Sequence, residues 1–313
     1  MESRSSGRSL VIIVMCTFNG ERFIEGQLHS FVAQECVDWT LYVSDDGSTD
    51  ATLEILRKFR DRVRKSNEVS ISDGSRKGFA ANFLTAICSA PASDFYAISD
   101  QDDIWQPHKL KRAVSCLNRI PRGRPALYCA RTRIADVNGQ EVGLSPLFLR
   151  HPSFANALVQ NIGGGNTMVM NGAARELVRK AGPNVEIVVH DWWLYQLVSG
   201  AGGEVMYDPE PHTLYRQHGS NLIGENSSCS AQFSRLGQLM GGSFKEWMDR
   251  NLVALDRVRH LLTAENRNLL DDLIALRGRS FWQRVLGLRK LGIERQTLVG
   301  NISLTLATAL GKL

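Results

Sequence analysis

A repeated unit, a short apolar strand followed by a polar loop, constrains the fold of this chain more than any other feature. Residues 10–15 form a β-branched apolar run, and residues 39–43 and 95–98 repeat the pattern. Runs of this kind are typical of strands buried on both faces of a parallel sheet. A helical pattern follows the second loop, with Thr49 or Asp50 as its N-cap. Strands that alternate with helices predict a doubly wound α/β sheet.

The alternation continues beyond these first units. Further strands are predicted at 69–71, 127–134, 167–170, 205–207 and near Leu214. Helices are predicted at 79–87 and from about Asp191, and a helical pattern dominates from about Phe244 onward. Because Ser, Asn and Gly cluster at 224–241, we place a domain boundary in that stretch.

Composition excludes several classes of protein. Hydrophobic residues make up 43% and charged residues 22% of the chain, as in globular domains. The six cysteines are scattered without a zinc or redox motif. The N-terminus is polar, and no apolar run reaches the roughly 18 residues that a membrane span needs. We therefore expect a cytoplasmic protein.

The excess positive charge is concentrated near the C-terminus. Six basic residues and one acid lie between Arg277 and Arg295, an excess equal to the net charge of +5 of the whole chain. A solvated helical face is one interpretation. Adsorption to an anionic membrane surface is the other, since the mostly apolar stretch 298–310 follows. No motif for nucleic-acid binding accompanies the charge, so nucleic acid is not an expected partner.

Three polar loops follow three of the predicted strands, at residues 17–21, 45–48 and 100–103. Ligands of open α/β sheets bind at the carboxyl ends of the strands. We therefore expect these loops to converge on one site.

The third loop is the most acidic, with Asp100, Asp102 and Asp103 within four residues. Such carboxylates repel one another unless a cation holds them, and carboxylate oxygens suit Mg²⁺ or Mn²⁺. Alternation along an extended segment predicts that Asp100 and Asp102 face the metal and that Asp103 faces away. A solvated acidic turn is the alternative.

Other candidate residues are weaker when taken singly. Asp45 and Asp46 offer acceptors for an N–H group of a nucleobase, and Gly47 permits a tight turn with positive φ, although this sequence is also a common turn. Asp191 begins a predicted helix, where it is either a general base or a helix-capping acid. Trp192 and Trp193 either stack on sugars or pack in the core.

A further segment, Tyr215 to Asn221, contains two residues suited to a phosphate and metal site. The imidazole of His218 can complete the coordination of a metal, and the guanidinium of Arg216 can neutralise a phosphate. A surface histidine without such a role is the ordinary alternative.

Seven motifs occur together in one order along residues 10–224. They are Met15 to Glu21, Ser44 to Asp50, Lys77 to Phe83, Ser99 to Leu110, Gly165 to Thr167, His190 to Trp193 and Tyr215 to Asn221. In these motifs the chain resembles the family 2 glycosyltransferases of the GT-A fold, specifically their bacterial rhamnosyltransferase-like branch. Cys16 stands where that family usually has proline, a position that carries no reactive group.

The resemblance implies an architecture. It implies a mixed, mostly parallel sheet flanked by helices in a catalytic domain over 1–224, followed by a helical extension over 225–313. Residues 10–120 would bind the nucleotide sugar, and residues 121–224 would bind the acceptor.

The resemblance also implies roles for individual residues. The residues expected to hold the nucleotide sugar are Thr17, Asn19, Glu21, Asp45, Asp46, Lys77, Asn82, Asp100, Gln101 and Arg216. Gly165, Asn166, Trp192 and Trp193 are expected around the sugar or acceptor. Asp191 would be the base, and Asp100, Asp102 and His218 would bind Mn²⁺ or Mg²⁺.

These expectations describe an inverting transfer in the synthesis of a bacterial cell-surface polysaccharide. The donor would be dTDP-rhamnose or a UDP-sugar, and the acceptor would be a glycan or a lipid-linked saccharide. The enzyme would lie in the cytoplasm or peripherally on the inner membrane. The alternatives are a sugar nucleotidyltransferase, whose glycine-rich phosphate loop is missing after the first strand, and a non-catalytic carbohydrate- or membrane-binding module.

Overall fold

A computed structural model describes residues 10–35, 37–63, 67–218 and 243–313. The predicted domain boundary at residue 224 lies outside these ranges, and so do Cys36, Cys229 and the last residues of the segment from Tyr215 to Asn221.

A seven-stranded sheet forms the centre of the fold, in the order β10-β6-β9-β4-β1-β2-β3. Its strands are β1 (Leu10–Thr17), β2 (Asp38–Asp45), β3 (Val69–Asp73), β4 (Phe95–Ser99), β6 (Ala126–Ala130), β9 (Val169–Asn171) and β10 (Glu204–Asp208). Only β9 runs against its neighbours β4 and β6, and the other pairings are parallel. The predicted α/β class with a mixed, mostly parallel sheet is confirmed.

Helices cover both faces of this sheet. They are α1 (Ile24–Val32), α2 (Thr52–Val63), α3 (Phe79–Ser89), α4 (Lys109–Leu117), α5 (Phe154–Ala157), α6 (Gly172–Ala181) and α7 (His190–Gly200). Alternate side chains of β1 enter two separate cores: Val14 packs in the core that contains α3 and α7, and Ile13 packs in the core that contains α1 and α4. Burial on both faces explains why β1 is an unbroken apolar run.

A smaller sheet of four strands, in the order β5-β11-β7-β8, lies beside the acidic loop. It consists of β5 (Ile104–Trp105), β7 (Arg133–Ala135), β8 (Glu141–Leu144) and β11 (Thr213–Arg216). Leu214 of β11 pairs with Ile104 of β5, directly after Asp103. This pairing brings the segment that contains Arg216 and His218 to the acidic loop. The predicted strand at 127–134 is in fact two strands, β6 and β7, which belong to different sheets.

The C-terminal part is helical, as predicted. It contains α8 (Ser243–Arg257), α9 (Ala264–Arg277), α10 (Phe281–Lys290) and α11 (Leu298–Ala309). Leu252 and Leu255 of α8 and Leu273 of α9 are buried in the same core as α7. The extension therefore packs onto the α/β domain through a shared apolar core.

Candidate active site

Three strands end at one edge of the sheet, and their loops contact one another there. Thr17 pairs with Asp45 at the ends of β1 and β2. The side-chain amide of Gln101 accepts from the backbone N–H of Phe18 and donates to its carbonyl, both at 2.9 Å. The backbone N–H of Asn19 donates to Ser48 Oγ at 2.9 Å. The predicted convergence of the three loops is confirmed.

The Asp45 carboxylate holds the second loop together. It accepts from the backbone N–H groups of Gly47 (3.1 Å) and Ser48 (2.8 Å), and from the hydroxyls of Thr17 (2.7 Å) and Ser48 (2.6 Å). Gly47 has a φ of 100°, as its place in the turn predicted. These internal donors show that Asp45 and Thr17 shape this loop. The expectation that Asp45 and Thr17 hold the nucleotide sugar remains a prediction.

Asp46, beside it, joins the loop to the segment before α3. Its carboxylate accepts from the backbone N–H of Arg76 at 2.6 Å and of Gly78 at 3.2 Å. Lys77 lies between them and is exposed. The expectation that Asp46 and Lys77 contact the nucleotide sugar remains a prediction.

Asn82 is 1% exposed, and its amide bonds both the hydroxyl (2.6 Å) and the carbonyl (3.0 Å) of Ser44. Asn82 therefore supports the end of β2. The expectation that Asn82 also contributes to the donor site remains a prediction. Asn19 and Glu21 accept from the backbone N–H groups of Thr49 and Ala51 at 2.8 and 2.9 Å, which fixes the loop before α2.

Asp103, which was expected to face away from the metal, is fully buried. It accepts from the Asn166 amide at 2.6 Å and from the backbone N–H of Arg216 at 3.3 Å. Burial raises the pKa of Asp103, and the negative charges of Asp102 and Asp100 act in the same direction. Asn166 is 3% exposed, and its amide supports the acidic loop. The expectation that Gly165 and Asn166 border the sugar or acceptor pocket remains a prediction.

His218 reaches the acidic loop directly. Its Nε2 atom lies 2.8 Å from Asp102 Oδ2, and its ring stacks on Phe23 with a centroid distance of 4.6 Å. Arg216 donates from Nε to the Asp102 carbonyl at 3.1 Å and also lies over Phe23. Of the residues predicted at the metal, Asp102 and His218 are in direct contact.

The charges at this edge suit a divalent cation. Burial, and then the nearby charges of Asp102 and Asp191, raise the pKa of the Asp100 carboxyl to about 8. Among the described residues, no three His, Cys, Asp or Glu side chains are grouped as a complete metal site. Ions such as Mg²⁺ are commonly bound by one or two carboxylates plus phosphate oxygens, so Asp100 and Asp102 fit an ion that a diphosphate also holds.

Asp191 lies in the first turn of α7. Its Oδ1 atom accepts from the backbone N–H of Trp192 at 2.7 Å, and Oδ2 accepts from that of Gly165 at 3.2 Å. Burial raises the pKa of Asp191 to about 6, although these hydrogen bonds and one from Asn161 act to lower it. The negative charge of Asp191 also acts on Asp100, which indicates that the two carboxylates lie near each other.

Both tryptophans after Asp191 pack in the core. Trp193 is fully buried, and Trp192 is 5% exposed and donates from Nε1 to the Ala157 carbonyl at 2.7 Å. The expectation that they stack on a sugar is corrected, because neither ring offers an open face.

Sequence comparison assigns the family. Residues 12–191 match the family described as Glycosyl transferase family 2. The chain belongs to this family. Membership favours glycosyl transfer over both a nucleotidyltransferase and a non-catalytic module.

Similar proteins agree with this assignment. This glycosyltransferase is 28% identical to the dTDP-rhamnosyl transferase RfbG of Shigella flexneri over 282 residues, which cover 86% of the chain and 93% of the relative. The UDP-Glc:α-D-GlcNAc-diphosphoundecaprenol β-1,3-glucosyltransferase WfgD of Escherichia coli is 34% identical over 110 residues, 34% of this chain and 41% of that one.

Solved structures share the fold at low identity. TarS of Staphylococcus aureus in complex with UDP-GlcNAc has a TM-score of 0.51 and 16% identity, with 90% of each chain covered. The mannosyltransferase PcManGT of Pyrobaculum calidifontis, solved with GDP-Man and Mn²⁺, has a TM-score of 0.51 and 15% identity, with 97% and 86% covered. The expected GT-A type fold of this family 2 glycosyltransferase is confirmed.

Lys109 is a site residue that the sequence reasoning missed. It is 1% exposed, its Nζ atom lies 3.4 Å from the centroid of the Trp105 ring, and no hydrogen-bond partner for it occurs in the described part of the chain. Burial lowers the pKa of Lys109, while Asp103 and Asp100 act to raise it. A buried ammonium near these two aspartates offsets part of their charge. Its position six residues after Asp103 was the sequence feature that could have indicated this role.

Proposed function

We propose that this glycosyltransferase inverts the anomeric centre of its donor in a single displacement, with Asp191 as the general base. The observation that carries the proposal is the position of Asp191, half-buried and near enough to Asp100 for its charge to act on that carboxyl, at the edge where the strand-end loops converge. An acceptor hydroxyl that reaches this edge loses its proton to Asp191 as its oxygen attacks the anomeric carbon. The nucleoside diphosphate then leaves on the side of Asp100 and Asp102.

The raised pKa of Asp191 supports this role. A carboxyl with a pKa of about 6 is mostly ionised at neutral pH, yet it takes a proton more readily than an ordinary aspartate. The hydrogen bonds from Gly165 and Trp192 leave the carboxylate fixed in orientation. A Mg²⁺ or Mn²⁺ ion held by Asp100, Asp102 and His218 would supply the positive charge that the departing diphosphate needs.

We further propose a donor and an acceptor by similarity. The extent of the match with a dTDP-rhamnosyl transferase favours dTDP-rhamnose over a UDP-sugar as the donor. WfgD, by its name, acts on an undecaprenol-linked saccharide, which supports a lipid-linked saccharide and a role in polysaccharide synthesis. Thermal unfolding with a panel of nucleotide sugars and Mn²⁺ tests the donor, since a ligand of the folded state raises its stability. Stabilisation by UDP-sugars alone would contradict the rhamnose assignment.

Two variants separate the proposed roles. Asp191→Asn is expected to abolish transfer while donor binding stays near the wild-type value, because the amide cannot accept the proton. Asp102→Ala is expected to weaken metal-dependent donor binding. Calorimetry with Mn²⁺ and each nucleotide diphosphate measures the binding, and release of nucleoside diphosphate measures transfer. Equal loss of binding in both variants would contradict the roles.

We also propose that α10 and α11 rest on an anionic membrane surface, which would place the enzyme peripherally on the cytoplasmic face. The two helices border a groove of about 660 Å³ and expose an apolar face. The exposed side chains of this face are Phe281, Trp282, Leu286, Leu298, Val299, Ile302, Leu306 and Leu310. No helix among the described residues is long and apolar enough to cross a membrane.

The structure changes the electrostatic part of this proposal. Arg277 pairs with Asp249, and Arg284 donates to the carbonyls of Thr308 and Ala309. Arg295 is half-buried and donates to the Val159 carbonyl at 3.1 Å. Three of the six basic residues therefore hold the extension together, while Arg279, Arg289 and Lys290 stay exposed beside the apolar face and suit anionic headgroups.

Trp282 provides a direct assay. All six tryptophans lie in the described ranges, and Trp282, at 71%, is the exposed one. Vesicles containing phosphatidylglycerol are expected to shift its fluorescence to the blue. A Trp282→Ser, Leu298→Ser variant should lose co-sedimentation, whereas Leu149→Ser, at a position 82% exposed outside the two helices, should keep it. Unchanged binding of the double variant would contradict the proposal.

A further inference from the structure

One short turn connects the two acidic parts of the site. Residues Gly165–Thr167 form a single turn of 3₁₀ helix. The backbone N–H of Gly165 donates to Asp191, and the side chain of the next residue, Asn166, donates to Asp103. Two carboxylates that are 88 positions apart in the chain are thus held by adjacent residues.

The ring of His190 packs tightly against this turn. A Cβ atom at position 165 would lie 2.2 Å from His190 Nε2, so only glycine fits beside the ring. A face of the His190 ring stacks on Phe83, with a centroid distance of 3.9 Å and an interplanar angle of 21°. Neither ring nitrogen has a hydrogen-bond partner among the described residues, and His190 is 5% exposed. The ring therefore acts by its shape and not by a hydrogen bond.

We propose that the turn at Gly165 and Asn166 is a spacer that sets the position of the Asp191 carboxylate relative to the acidic loop. In this arrangement His190, which stacks on Phe83 and meets Gly165 with its Nε2 edge, is the positioning residue that keeps the Gly165 N–H directed at Asp191. The inference rests on the proposed role of Asp191 as the base.

The surroundings of Asp191 make its protonation a suitable readout. The titratable groups that face it are Asp100 from the loop after β4, the buried thiol of Cys129 on β6 and His190 on its own helix. Burial lowers the pKa of His190 to about 3, so its ring stays neutral over the working range of pH. The hydrogen bond from Gly165 favours the ionised form of Asp191. If the turn moves away, the pH at which activity falls should therefore rise.

Three variants test the spacer. In Gly165→Ala the added methyl group collides with His190, and in His190→Ala the ring that supports the turn is missing. Each is expected to raise the acid limb of the kcat profile by about one pH unit, because one hydrogen bond to the carboxylate is weakened. Each should also lower the plateau kcat by about tenfold or more. The KM for the donor should change less than twofold, because neither substitution removes the hydrogen bond between Asn166 and Asp103 that joins the turn to the acidic loop.

The double variant Gly165→Ala, His190→Ala gives the decisive comparison. Its methyl group occupies part of the space that the ring leaves, so it should be more active than either single variant, with an acid limb nearer that of the wild type. Gly26→Ala, whose added methyl group would meet nothing within 4 Å, is the control for a glycine substitution. If Gly165→Ala alone does not fold, His190→Ala and the double variant still provide the comparison.

Two results would overturn the inference. In the first, the double variant is no more active than His190→Ala. In the second, Gly165→Ala and His190→Ala both keep the acid limb of the wild-type kcat profile. Asp191→Asn distinguishes this failure from failure of the proposed function. If Asp191→Asn is active, Asp191 is not the base. If Asp191→Asn is inactive and the acid limbs of Gly165→Ala and His190→Ala are unshifted, only the spacer is refuted.

Discussion

The raised pKa of Asp191 predicts how both activity and stability depend on pH. Because the base must be ionised, kcat should follow the ionised fraction of a group with a pKa of about 6. The rate should then fall roughly tenfold between the plateau and pH 5. An aspartate with the ordinary value of 3.8 would lose almost nothing over that range.

Lowering the pH should decrease the activity but increase the stability of the folded state. A carboxyl whose pKa is raised by folding binds its proton more tightly in the folded state than in the unfolded state. The resulting destabilisation is fully present above about pH 6 and disappears as the pH falls toward 3.8. For a shift from 3.8 to about 6, the wild type should gain about 1 kcal/mol relative to Asp191→Asn between pH 7 and pH 5.

Two assays check these values together. Urea unfolding of the wild type and of Asp191→Asn at several pH values gives the difference in the free energy of unfolding, in which other titrating groups largely cancel. Initial rates of nucleoside diphosphate release give the activity profile. A difference in unfolding free energy that is independent of pH, or an acid limb near pH 4, would refute the assignment of Asp191 as a base with a raised pKa.

Three further outcomes are expected. Removal of divalent ions with EDTA should abolish transfer and Mn²⁺ should restore it, whereas activity that survives in EDTA would exclude the metal. His218→Leu should weaken Mn²⁺-dependent binding of a nucleoside diphosphate by roughly 10- to 100-fold in calorimetry, and His151→Leu, an exposed control, should not. Asn82→Leu should lower the free energy of unfolding in urea by about 1–3 kcal/mol, because the buried hydroxyl and carbonyl of Ser44 lose their partners; an unchanged midpoint would contradict its supporting role.

The sequence predicted the central strands and the convergence of their loops for a simple physical reason. Strands buried on both faces must be apolar, and their carboxyl ends must meet, so β1, β2 and β4 and the three polar loops were readable from local pattern. The strand β5 was missed because it has two residues, and a pattern of period two cannot be recognised in so short a segment.

Local pattern could not identify the partner of each polar side chain. Asp45, Asn82 and Asn166 were expected to face ligands. Each is buried, and each forms a hydrogen bond to a residue far away in the chain. Trp193 follows the candidate base directly, yet the helix turns it into the core. These outcomes depend on contacts between residues far apart in the chain, which a single sequence does not specify.

The most direct test of the account is the position of the metal. Crystals grown with Mn²⁺ and a nucleoside diphosphate should give an anomalous peak at the manganese edge between Asp102 and the diphosphate, next to Asp100 and on the side that Asp191 faces. A peak at another edge of the sheet, or a diphosphate bound away from these three carboxylates, would contradict the proposed mechanism.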